Sequence, residues 1–305
     1  MANETNGIIS IIKPLQWTSM DVVRRIKRLT QQKKVGHAGT LDPQATGVLP
    51  VCLGQATRVM EYLIDSPKSY TAVVHLGVST DSYDALGQVT EIKDPSYVSE
   101  LDVNRELEKY HGPFHQVPPM YSALKKDGER LYNLARAGKE VTRLPREVEI
   151  YRLDMTQWRP PEVHLEIECG RGMYVRSLAH DLGVDLGCGA HLKELTRVHT
   201  GPFDIANATT MEQFEQAFED DSWRSLLFPV DFPLLNFRTA IVQQDKEDAI
   251  RRGQGIYLGL PSRDPPANNL CRLYSVDGEF LALLHPGRTR GLWQAQKVFT
   301  LRNRG

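Results

Sequence analysis

Short apolar or alternating runs recur along the chain, each followed by a stretch with helical spacing. Ile8 to Ile12 is a β-rich run closed by Lys13-Pro14, and Thr18 or Ser19 then offers an N-cap for a helix from Met20 to Leu29, with Val22, Val23, Ile26 and Leu29 on one side. Val48 to Leu53 reads as a buried strand, Ala56 to Leu63 as a helix turning Met60 and Leu63 inward, and Tyr70 to Leu76 as a β-branched strand. The turn-rich segment Thr80 to Gly87 leads into a further strand, Gln88 to Ile92, and Leu101 to Tyr110 has helical spacing until the double proline Pro118-Pro119 ends regular structure. Glu147 to Trp158 and Val163 to Cys169 alternate as strands, a helix is predicted from about Met173 to Leu186, a turn and strand carry Leu195, and a helix lies near Met211 to Phe218. Strands interleaved with helices in this way predict an α+β fold with one large mixed, mainly antiparallel sheet flanked by helices.

The pattern shifts at the proline-rich hinge Phe228 to Pro233. Beyond it, Ile241-Val242, Gly255 to Leu258, Leu270 to Val276, Glu279 to Leu284 and Trp293 to Phe299 read as short strands between Gly, Pro and Asp turns, the signature of a small β-barrel. The expected division is therefore a domain over 1–232 and a second over 233–305.

Composition narrows the classes. With 41% hydrophobic and 25% charged residues in 305, the chain is an ordinary globular protein. Its start has no basic region followed by an apolar core, and no apolar run approaches the roughly 20 residues that cross a bilayer, so a cytoplasmic protein with no membrane association is expected. Cys52, Cys169, Cys188 and Cys271 lie far apart, with neither zinc-site nor disulfide spacing. No Walker loop or dinucleotide fingerprint is present, so neither metal nor organic cofactor is expected. Net charge is −1, which argues against binding nucleic acid by bulk charge, yet one local patch stands out. Between Lys125 and Arg146, seven basic residues (Lys125, Lys126, Arg130, Arg136, Lys139, Arg143, Arg146) face three acidic ones (Asp127, Glu129, Glu140). A solvated helix face and a nucleic-acid surface both fit that excess.

The stretch Val35 to Pro50 packs three glycines, two prolines, a histidine and one carboxylate between better-behaved segments. Pro43 pushes Asp42 out of the α region, so this carboxylate is held in a shaped loop. By itself Asp42 reads first as a capping or Asx-turn aspartate of a surface loop, with a catalytic carboxylate as the alternative.

The run from Gly36-His37 through Leu41-Asp42-Pro43 to Ala45-Thr46-Gly47 resembles the catalytic-aspartate motif of the tRNA pseudouridine synthase B family. Lys13-Pro14 with Trp17-Thr18-Ser19 is similar to the family's first motif, with Gln16 where glycine is usual; Gly172 to Leu178 and Gly187 to Arg197 are similar to later ones, so the resemblance covers Lys13 to about Phe203. It implies isomerisation of uridine 55 in the T loop of tRNA to pseudouridine, on the pseudouridine synthase fold with a terminal PUA-like RNA-binding domain. It further implies that Asp42 is the catalytic carboxylate, Arg176 its ion-pair partner and Tyr70 the stacking tyrosine, whose hydroxyl is a candidate for removing the C5 proton. Substrate contacts are implied at Lys13, His37, Asp84, Tyr174 and Leu195, and an insertion at about 112–146, with Tyr121, Lys125 and Lys126, reaches over the RNA. Free tRNA is the expected partner, with no obligatory protein partner and a monomeric chain. Two alternatives stay open, an RNA-folding factor acting on the T arm and a guide-RNA-dependent synthase subunit. Base flipping fits the site types, because a stacked uridine has to be turned out against an aromatic or apolar surface before its glycosidic bond is reached.

Overall fold

The structure is a computed structural model that describes residues 5–126, 128–259 and 269–301. β1 (Gly7–Lys13) is buried along almost its whole length, and α1 (Ser19–Thr30) starts at a capping box in which the Thr18 hydroxyl accepts from the Asp21 amide while the Asp21 carboxylate accepts from the Thr18 amide. β2 (Val35–His37) and β3 (Ala45–Leu53) bracket the glycine-rich loop and pair antiparallel, with His37 opposite Val51. Where one helix is predicted over Ala56 to Leu63, a 3-10 turn (Gly54–Val59) precedes α2 (Met60–Asp65). The Thr57 hydroxyl donates to the Gly54 carbonyl, one of the local bonds that compete with a regular α-helical start.

β4 (Lys68–Leu76), the hairpin β5 (Val78–Thr80) and β6 (Val89–Ile92), and α3 (Glu100–Leu107) follow. The insertion comprises β7 (Gly112–Gln116), the short ribbon β8 (Lys125–Lys126) and β9 (Glu129–Arg130), and α4 (Leu131–Arg136). β10 (Arg146–Arg159), β11 (Glu162–Cys169), α5 (Val175–Asp185), β12 (Ala190–Thr200), β13 (Phe203–Asp204), β14 (Thr209–Thr210) and α6 (Met211–Glu219) complete this part.

The large sheet runs β14-β1-β3-β12-β4-β11-β10-β7, with β2 and β13 attached at its side. Most pairs are antiparallel, but β12 lies parallel to β3 and antiparallel to β4. Leu195 thereby has Ala45 on one side and Ala72 on the other, which brings the end of the glycine-rich loop beside the strand that carries Tyr70. Helices α1, α5 and α6 cover one face, burying Val22, Ile26, Leu178, Leu182 and Phe214 in one cluster with Ile9, Val74 and Leu165.

The terminal part is a curled half-barrel, β15 (Arg238–Val242), β16 (Ile256–Tyr257), β17 (Cys271–Ser275), β18 (Phe280–Pro286) and β19 (Leu292–Val298), in the order β15-β17-β18-β19-β16. A helix, α7 (Gln244–Arg251), stands between its first two strands where no helix is predicted. Its only fully buried residue is Ile250, so it has no apolar stripe to read. The half-barrel shares a core with the back of the large sheet, where Phe280, Leu283 and Phe299 pack with Ile8, Val48 and Cys52. Lys297 crosses this junction to Glu61 at 2.6 Å. Among the described residues no helix is long and apolar enough to cross a membrane, and no cluster of ligating side chains forms a metal site.

Candidate active site

The glycine-rich loop is pinned on both sides of Asp42. The Ser19 hydroxyl bonds the Leu41 backbone twice, donating to its carbonyl at 3.1 Å and accepting from its amide at 2.8 Å. The Gln16 amide donates to the Pro43 carbonyl at 2.8 Å, and the Lys13 ammonium reaches the Trp17, Pro14 and Pro43 carbonyls at 2.6, 2.7 and 3.4 Å. Asp42 itself opens a turn, its carbonyl accepting from the Ala45 amide at 3.0 Å with Pro43 in the next position, where a fixed φ suits the turn. Gly47 allows the loop to close against β12: its φ is +98°, and a Cβ there would sit 2.2 Å from the Arg197 carbonyl oxygen.

Charge is arranged around one buried guanidinium. Arg176, in the first turn of α5, places Nη2 3.1 Å from an Asp42 carboxylate oxygen and Nη1 3.5 Å from Asp84, while Nη2 also donates to the Tyr121 carbonyl at 2.6 Å. The guanidinium is thus shared among three acceptors, Asp42 being the carboxylate nearest to it. Burial raises the Asp42 carboxyl above the usual carboxylate range; Arg176 and Lys13 oppose that shift and the charge of Asp84 reinforces it. The Asp42 side chain is nonetheless 40% exposed, because it faces a cleft of about 240 Å³ lined by Gln44, Ala45, Asp84, Leu192, Lys193, Glu194 and Leu195. A carboxylate presented to a cleft by a buried cation is equipped for nucleophilic attack or proton removal.

Other predicted residues fall in varied places. Tyr70 is buried on β4, opposite Arg197 of β12, and burial pushes its phenol up. Leu195 lines the cleft. Asp84 is buried, accepting from the Ser82 hydroxyl at 2.7 Å and the Leu86 amide at 3.0 Å as well as pairing with Arg176. Tyr174 precedes α5 and is clamped by the Gln116 amide, which accepts from its N–H at 2.9 Å and donates to its carbonyl at 3.1 Å; its ring lies 5.8 Å from the Arg176 guanidinium. His37 has a buried Nδ1 without a hydrogen-bond partner, and burial with the nearby Arg197 lowers its pKa.

Two basic side chains turn inward. Lys13 is 0% exposed and its ammonium serves loop carbonyls, so it braces the loop from beneath, and burial brings its pKa down to about 8. Arg143, counted in the basic patch, turns inward to the Pro118 carbonyl, whereas Lys125 and Lys126 stay exposed on the β8–β9 ribbon; Asp127 lies outside the described residues. Tyr121 bonds Asp81 through its hydroxyl at 3.3 Å and holds Arg176 through its carbonyl. Sequence reasoning passes over Ser19, Gln116 and Arg197. Arg197 is legible only in retrospect, two residues from Leu195 and so on the same face of one strand.

A mixed sheet with a curled terminal half-barrel thus carries an acid–arginine pair at a central cleft. A chain from the crystal structure of a Cbf5-Nop10-Gar1 complex is similar with a TM-score of 0.72 and 26% identity, over 96% of this chain and 85% of that one. Residues 27–175 match the family described as TruB family pseudouridylate synthase (N terminal domain), and 176–235 match the tRNA pseudouridylate synthase B C-terminal domain. Among curated proteins, tRNA pseudouridine synthase B of Dehalococcoides mccartyi (strain ATCC BAA-2100 / JCM 16839 / KCTC 5957 / BAV1) is 42% identical over 96% of each chain, and that of Clostridioides difficile (strain 630) is 39% identical over 91% of this chain and 93% of the other. The chain belongs to the TruB family of pseudouridylate synthases, which are isomerases.

Proposed function

We propose that this protein converts uridine 55 in the T loop of tRNA to pseudouridine, as a cytoplasmic monomer that needs no protein partner. The observation that carries the reading is Asp42, held at the cleft by Arg176 and backed by a rigid loop. The reaction breaks the C–N glycosidic bond, turns the uracil and rejoins it to the sugar through C5. Asp42 supplies the nucleophile, and Arg176 favours its ionised form, opposing the burial that raises its carboxyl. Flipping the base out costs a few kcal/mol, and Leu195 with the Tyr70 ring receives the turned base. The exposed Lys125 and Lys126 contact the RNA backbone beyond the cleft. Support for a tRNA substrate comes from the relatives' names.

The Cbf5 likeness favours a second reading, in which protein partners and a guide RNA direct the site. Incubating the purified protein alone with unmodified tRNA transcript and mapping pseudouridine by position separates the two. Modification confined to position 55 is expected; no product without added protein or guide RNA would overturn the stand-alone reading.

A further inference from the structure

Gln116 is the last residue of β7, the edge strand of the large sheet, and is 2% exposed. A buried amide is costly unless its donor and its acceptor are both used, and this one uses both on the backbone of a single residue. It accepts from the Tyr174 N–H at 2.9 Å and donates to the Tyr174 carbonyl at 3.1 Å. Tyr174 is the N-cap of α5, with extended backbone (φ −110°, ψ 109°) and no capping bond from its own side chain. Serine, threonine or aspartate is usual at such a position, but here it carries a ring that lies 5.8 Å from the Arg176 guanidinium. The entry of α5 is therefore held from outside, by the strand that roots the insertion. The next residue of that segment does the same three positions further along the helix: the Val117 carbonyl accepts from the hydroxyl of the fully buried Ser177 at 3.2 Å.

Arg176 lies between these two pinned positions. The rest of α5 meets the sheet through Val175, Leu178, Ala179 and Leu182, all buried. Such apolar contacts hold a helix close, but they are non-directional and leave its rotation and axial position loosely set. Directed hydrogen bonds at 174 and 177 fix both. The need is specific to this turn, because the Arg176 guanidinium is 3.1 Å from Asp42, 3.5 Å from Asp84 and 2.6 Å from the Tyr121 carbonyl, so a small rotation would trade one acceptor against another. Its Nε is buried without a hydrogen-bond partner, so the pose of the guanidinium depends on where the helix puts it. We propose that Gln116 is a positioning residue for the isomerisation: by fixing the first turn of α5 it sets how Arg176 divides between Asp42 and its other acceptors. The proposal rests on the reading of Asp42 and Arg176 as the pair that carries the chemistry. Gln116 is buried and is not among the residues that line the cleft, so it acts on the reaction through Arg176.

The test is single-turnover pseudouridine formation at saturating enzyme across a range of pH, for Gln116→Met, Ser177→Ala and Arg176→Lys beside the parent, with circular dichroism and tRNA affinity measured on each. Methionine keeps the length of the side chain and removes both bonds to Tyr174. Folded Gln116→Met is expected to bind tRNA like the parent and to turn over about 10²-fold more slowly, the cost of misplacing a catalytic group by about 1 Å. The acid limb of the profile separates positioning from plain loss of structure. Arg176 opposes the rise of the Asp42 carboxyl, so a displaced Arg176 lets that carboxyl rise further and the limb should move to higher pH; Asp84 and Lys13, which also act on Asp42, are unaltered. A variant that had only lost active molecules would be slower at every pH with its limb unmoved. An unmoved limb or a parental rate would overturn the proposal. Should Gln116→Met fail to fold, Ser177→Ala, which deletes one bond from the same turn, is expected to move the limb the same way by a smaller amount, and an unmoved limb there contradicts the proposal. Arg176→Lys tests the underlying reading separately: parental activity in that variant would remove the reading itself, whereas a crippled Arg176→Lys beside an unaffected Gln116→Met would sink this proposal alone.

Discussion

Gln16 shows how one residue can depart from a motif and leave a physical trace. It adopts φ +67°, the left-handed region where the family's usual glycine carries no Cβ penalty, and its amide must hold that pose to reach the Pro43 carbonyl. Gln16→Gly is expected to stabilise the protein by about 0.5–1 kcal/mol with activity retained, as read from thermal unfolding; a lower midpoint would mean that the side chain contributes more than the strain costs. Lys13→Met removes the donor shared by three part-buried carbonyls and should destabilise by about 1–3 kcal/mol with a marked loss of rate, whereas a lysine acting only on RNA would change affinity and leave unfolding unmoved. Burial, reinforced by the charge of Asp84, raises the Asp42 carboxyl, so activity in the parent should fall on the acid side at a pH above the ordinary carboxylate range. Asp84→Asn removes that like charge and should move the acid limb of the single-turnover profile to lower pH, even if Arg176, freed of one acceptor, is less well held. An acid limb that moves upward would contradict the assigned sign.

At the scale of elements, hydrophobic pattern located nearly every long strand and helix of the large sheet, because each buries one face and so keeps its period. α7 escaped because its surroundings ask for only one buried side chain, and β2 because three half-buried residues leave no pattern. The site was legible in part for a similar reason. Glycine, proline and aspartate in one loop announce a shape, but the residues that fix it, Ser19, Gln116 and Arg197, come from elements far away in sequence and are joined only by the sheet order. The insertion is a smaller case: its charge excess fitted a solvated helix face as well as a nucleic-acid surface, and the inward turn of Arg143 shows that composition alone miscounts the available cations. Replacing Lys125, Lys126 and Arg130 by alanine should lower the slope of log affinity against log salt by about one for each phosphate deprived of its cation. An unchanged slope would place the RNA surface elsewhere.

For the whole molecule, the shared core between the half-barrel and the large sheet decides how independent the two parts are. Phe280, Leu283 and Phe299 cover Ile8, Val48 and Cys52, so a chain ending near Phe232 would expose an apolar face continuous with the back of the catalytic strands. Such a chain is expected to be destabilised and prone to association, with less activity on a T-arm hairpin than a free-standing domain would keep; a stable, fully active fragment would contradict the packing. The central claim is that Asp42, steadied by Arg176, carries out the chemistry on uridine 55. Its most direct test is single-turnover modification of unmodified tRNA by the parent and by Asp42→Asn, with pseudouridine mapped by position and tRNA affinity measured alongside. The account predicts that the parent modifies position 55, and that the asparagine variant folds and binds tRNA nearly as well yet forms no pseudouridine above background; measurable turnover by that variant would contradict it.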